Sequence, residues 1–143
     1  MKRLPLNVLI ALAVLCGAGP ALAQDRGPAE RQSLLDLAFT LGESHALRQV
    51  CEGAGDQYWR SRMVRLTEVE KADQAFDAQL RERFNTGYAA RQGQFPQCDE
   101  ASREAEQQVA RKGQALANKL SKSMRTTAAA PSDQASPESV ANN

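Results

Sequence analysis

The chain is poor in aromatic residues: one Trp, two Tyr and four Phe make up 5% of its 143 residues. It holds a single histidine and only three cysteines, none of them in a CxxC pair. No stretch alternates apolar and polar residues over strand length, and no segment repeats, so β and solenoid architectures have no support. A Gly-rich phosphate loop is absent, as are a defensible carboxylate pair and a Ser-His-Asp order with supporting context. The longest apolar run, Val8 to Cys16, is about half of what a membrane-spanning helix requires. A strong charge of either sign is also missing, since the formal net charge is +1.

What is present begins with a secretory signal. Lys2 and Arg3 precede the apolar run, and Ala21-Leu22-Ala23 supplies small residues for cleavage after Ala23. Leu15 before Cys16 is too large for lipoprotein processing. Removing Lys2 and Arg3 leaves 16 basic against 17 acidic residues, a formal charge of −1. That balance predicts no nucleic-acid partner and no stable membrane insertion of the mature chain. The expected location is periplasmic or secreted.

Beyond the signal (1–23), residues 24–28 are expected as a flexible lead, 29–125 as one helical domain and 126–143 as a disordered tail. The tail has two prolines and no aromatic residue, too little apolar surface to order itself. Helix one is predicted from Ala29 to Glu52, with Leu34, Leu37, Leu41, Ser44 and Cys51 on one side and Leu47 on its shoulder. Gly53-Ala54-Gly55 breaks it, and Asp56 is the expected cap of a second helix whose inner stripe is Trp59, Met63, Leu66 and Val69. Phe76, Leu80, Phe84 and Tyr88 recur every four residues. Asp73 could cap a separate third helix there, or one long helix could continue through it. Pro96 closes that segment. Cys98 and Asp99 then open a last helix with Ala105, Val109, Gly113, Leu116 and Leu120 inside. The fold class is all-α: a small bundle of three or four helices.

Export leaves Cys51 and Cys98 in an oxidising compartment, which predicts one structural disulfide rather than a redox centre. It would join the end of helix one to the start of the last helix.

The segments LGESHALRQVC (41–51), YWRSRM (58–63) and ERFNTGYAARQGQFPQC (82–98) resemble signature stretches of small secreted alphaproteobacterial proteins grouped as a family of unknown function. The resemblance covers Leu34 to Leu120 and implies a periplasmic helical protein with no transferable activity.

His45 is the candidate general base or ligand, because imidazole titrates near neutrality. Its weight as catalyst is reduced by the lack of an identifiable nucleophile, which favours a hydrogen-bonded structural role. A metal site from His45, Cys51 and Cys98 has the wrong spacing for one helical face, so no metal and no cofactor is expected. Trp59 reads as core by its periodicity, and Arg48, Arg60 and Arg62 are expected to pair with Glu52, Glu68 and Glu70. In FNTGY, Gly87 invites close approach of another helix, while Asn85, Tyr88 and Arg91 form a candidate polar contact surface with His45. The function expected is an accessory or interaction protein of the cell envelope with an envelope protein partner. The alternatives are a small envelope hydrolase using His45 and a ligand-binding module with a cavity lined by Trp59, Phe84 and Tyr88.

Cross-linking residues so far apart contributes about 4 kcal/mol in the chain-entropy picture. Replacing Cys51 with Ser is therefore expected to lower the melting temperature of the oxidised protein substantially. Under reducing conditions the variant and the parent should melt together. An unchanged melting temperature in oxidising buffer would refute the staple.

Overall fold

A computed structural model describes residues 26–129. They form four helices and, among the described residues, no strand: α1 (Pro28–Glu52), α2 (Tyr58–Glu70), α3 (Gln74–Arg91) and α4 (Glu100–Ala129). Residues 1–25, which include the expected signal sequence, and residues 130–143 of the expected tail lie outside the described residues. Arg26, in the segment expected as a flexible lead, is held by Glu70 through Nε at 2.8 Å and Nη2 at 2.6 Å.

Local chemistry explains the helix ends. Pro28 sits in the first turn of α1, where its missing N–H costs nothing. Gly53, at φ 90°, takes a backbone geometry that side chains resist, and its N–H donates to the Gln49 carbonyl. Asp56 accepts the Tyr58 N–H at 3.1 Å, yet α2 begins one residue later than expected, with Gln57 at the cap. The open question at the next join is resolved as two helices. Lys71 turns left-handed, and Asp73 caps α3 by accepting the Phe76 N–H at 2.8 Å. At the head of α4, Asp99 accepts the Ser102 N–H while Ser102 Oγ accepts the Asp99 N–H, both at 2.9 Å. The helix then continues through Ala129, past the composition change after Met124. Extension of an existing helix needs no new nucleus, and alanine is the best helix former.

The apolar stripes meet where the periodicity places them. Leu34, Leu37, Leu41, Met63, Phe76, Leu80, Phe84 and Leu120 form one core, with Trp59, Leu66 and Leu116 packed against it. Val69 departs from its expected place and is 61% exposed. The larger departure concerns α1, which is not a one-faced helix: every residue from Thr40 to Leu47 is buried. α1 packs on all three other helices, α2 also touches α3, and α4 packs on α1 alone. Cross-contacts set the directions. Arg31 lies over Phe76 and Tyr88 reaches Gln49, so α1 and α3 run parallel. Contacts of Arg48 with Tyr58 and of Arg26 with Glu70 make α2 antiparallel to α1. Lys112 on Glu43 and Ser102 beside Cys51 do the same for α4.

Two glycines permit the α1–α3 contact. A Cβ on Gly42 would overlap the Phe84 carbonyl oxygen, and one on Gly87 would overlap the Phe39 carbonyl oxygen. Gly87 thus serves the close approach expected of it, with Gly42 as an unforeseen counterpart. The disulfide closes the far end, with Cys51 and Cys98 Sγ atoms 2.08 Å apart across a separation of 47 residues.

Gly42→Ala and Gly87→Ala are expected to destabilise the fold by about 2 kcal/mol or more, because backbone rather than a rotatable side chain blocks the new methyl. At Gly55 a Cβ would meet nothing within 4 Å, so Gly55→Ala should stay within about 1 kcal/mol of the parent. Urea unfolding of the three variants gives the comparison.

Candidate functional site

His45 sits at the middle of the α1–α3 contact, 4% exposed. Its ring lies against Phe84 at 5.7 Å and Tyr88 at 5.4 Å between centroids. Gln49 Nε2 stands 3.3 Å from His45 Nε2. Nδ1 is buried without a hydrogen-bond partner among the described residues. The same Gln49 accepts the Tyr88 hydroxyl at 2.8 Å and donates to the carbonyls of Ala54 and Asp56. It thereby ties α3 to the turn after α1. Burial holds the His45 pKa below the ordinary value of 6.5; the Arg60 charge lowers it further and Asp56 partly opposes this. The imidazole is neutral at neutral pH, and its described contacts include no nucleophile.

Arg91 is drawn to a different partner. Its Nε donates to Glu43 Oε1 at 2.9 Å, and Lys112 Nζ reaches Glu43 Oε2 at 3.3 Å. Glu43, 5% exposed, is thus the ionic tie among α1, α3 and α4. Asn85 lies on the outer face of α3, beside Arg81, Glu82 and Ala89. The candidate surface therefore divides: His45 and Tyr88 meet in the interior, Arg91 joins Glu43, and Asn85 stands apart in solvent. The expected arginine pairs are also corrected. Arg48 contacts Asp56 at 3.2 Å and Glu106 at 3.8 Å, Glu70 is taken by Arg26, and Arg62 stacks on Tyr58 with its guanidinium 3.5 Å from the ring centre. Among the described residues no group of three or more His, Cys, Asp or Glu is arranged to hold a metal ion.

A larger concavity lies elsewhere on the described residues. Because α2 and α4 both pack on α1 but not on each other, a trough of ≈ 840 Å³ runs between them. Leu37, Thr40, Leu41 and Ser44 of α1 form its floor. Trp59, Leu66 and Val69 make the α2 wall, and Ala110, Gly113 and Ala117 make the α4 wall. Gly113 faces α1, where an added Cβ would meet Thr40 Cγ2 at 3.3 Å. Trp59 belongs to both readings, since it packs on the core and faces the trough. Phe84 and Tyr88, expected to line a cavity with it, do not. The Ala110-Gly113-Ala117 spacing was visible in the sequence, but it marks equally a tight helix contact.

Across residues 28–124 the chain matches the family described as "Protein of unknown function (DUF2385)". The chain belongs to this family. The DUF2385 match runs from the first residue of α1 to the last full turns of α4, so core, disulfide and trough all fall inside it. No curated protein and no solved structure matches the chain. Among the described residues, no helix of this DUF2385 domain is long and apolar enough to cross a membrane.

The neutral, buried imidazole has a measurable consequence. With the folded pKa below the unfolded one, the unfolded chain takes up the proton first. Stability is therefore full above the unfolded value and falls as pH drops through it toward the lower folded value. Glu106 has the opposite sign: burial raises its pKa, so lowering the pH favours the folded state there. Between about pH 8 and about pH 6 the parent should lose stability, and His45→Gln should show a flatter profile, as His45 is the only histidine. Parallel slopes in denaturant titrations would refute this.

Proposed function

We propose that the protein is an exported accessory protein of the cell envelope that works by binding, with the α2–α4 trough as its binding surface. The observation that carries this reading is the trough itself: a mostly apolar gap between two helices that both rest on α1. Concave apolar sites with a few placed polar groups are where ligands and partners bind. Export is supported by the features of residues 1–23 and by the Cys51–Cys98 bond, since such bonds persist in oxidising compartments. The same bond holds the end of α1 against the head of α4, which keeps one wall of the trough in place without a ligand. Burial of His45 against two aromatic rings removes it from direct contact with a substrate, which shifts the weight from hydrolysis to binding.

Filling the trough tests the reading. Ala117 is exposed on the α4 wall, so Ala117→Trp should block the trough with less than about 1 kcal/mol change in stability. The blocked variant is expected to fail in complementing a deletion strain, while His45→Gln complements. Wild-type complementation by Ala117→Trp would overturn the proposal, and failure of a stably folded His45→Gln would return the weight to catalysis.

A further inference from the structure

We infer that the trough receives an acidic amphipathic helix from a partner protein, an inference that rests on the trough being the binding surface. Charge is the first argument. Three arginines line the trough, Arg62 and Arg65 on the α2 wall and Arg111 on the α4 wall, and no carboxylate lines it. Elsewhere on the described residues Arg26, Arg31, Arg48, Arg81, Arg83 and Arg91 have a carboxylate within 4 Å, while Arg60, Arg103 and Arg125 do not. None of the three trough arginines has one among the described residues. What distinguishes the trough is the gathering of three such arginines around one apolar gap. Arg62 is also set in place: its guanidinium lies over the Tyr58 ring, and Nη1 donates to the Tyr58 carbonyl at 3.3 Å. Its remaining N–H groups stay free for an incoming carboxylate.

Shape is the second argument. The trough is open along its length, for Arg62, Arg65 and Val69 on one wall and Arg111, Gln114 and Ala117 on the other are all exposed. A fatty-acid-like molecule needs most of its surface enclosed, and here one side of its chain would stay in water. A helix with an apolar stripe and a polar back satisfies both the floor and the solvent. The α2 wall has 13 residues, about 20 Å, which matches roughly three or four helical turns of occupant. Ala110 and Ala117 on the α4 wall leave room for a helix to approach. Arginines on both walls place the acidic residues of the occupant on both flanks of its apolar stripe, because like charges there would be repelled.

The test uses the full chain in the cells that produce it. A photo-crosslinking p-benzoylphenylalanine is placed at Val69 or Gln114 in the trough, and at Asn85 on the outer face of α3 as a control. Adducts are then sequenced by mass spectrometry. The expected result is an adduct from Val69 and Gln114, absent at Asn85, that maps to one segment with a helical apolar repeat flanked by Asp or Glu. In the triple variant Arg62→Glu, Arg65→Glu, Arg111→Glu that adduct should fall about tenfold or more, with an unchanged melting curve, and Lys at the three positions should restore part of it. A lipid adduct, an adduct with a second copy of this chain, or a segment without acidic flanks would overturn the helix inference while leaving the trough as the binding surface. Capture at Asn85 alone, or at none of the three positions, would overturn the inference together with the proposed function.

Discussion

Backbone-to-backbone contact between α1 and α3 is the constraint on which the rest of the structure depends. At Gly42 and Gly87 each helix presents no side chain to the other, and the carbonyl of Phe84 or Phe39 occupies the space a methyl group would need. Closing this parallel pair makes α1 the hub. α2 and α4, each antiparallel to α1, can then lie on its flanks without meeting one another. The trough follows from the same geometry.

A hub helix must bury its polar residues, and α1 does so with partners. Thr40 donates to the Asp36 carbonyl at 2.8 Å, Glu43 holds Arg91 and Lys112, and His45 stays neutral beside Gln49. Buried ions of this kind are weak sources of net stability, but leaving one unpaired is costly. The Glu43 tie therefore serves to select one arrangement of α1, α3 and α4 over sliding alternatives. That gives the polar residues of LGESHALRQVC a structural account that does not depend on catalysis.

The two sides of α1 have different characters. Toward α3 the packing is tight and aromatic, with His45 buried against Phe84 and Tyr88. Toward the gap between α2 and α4 the lining is mostly apolar with cationic edges, and Arg65 and Arg111 have no carboxylate within 4 Å among the described residues. The binding role proposed for this protein uses that second side.

The sequence by itself determined the helices and most of their ends, because caps, glycine breaks and the four-residue apolar period are local signals read within one or two turns. It also determined the cysteine pair, since only two remain after the expected signal. The tertiary structure decided the rest. Whether α1 is half or wholly buried depends on how many helices surround it, and its small and polar residues carry no periodic mark of that. Asn85 shares a helix with Tyr88 and Arg91 yet meets different surroundings, because it lies on the outer side of α3 while the other two turn toward α1. The trough is a gap between segments some fifty residues apart, created by a contact that α2 and α4 do not make, and an absent contact leaves no local pattern in the residues on either side of it.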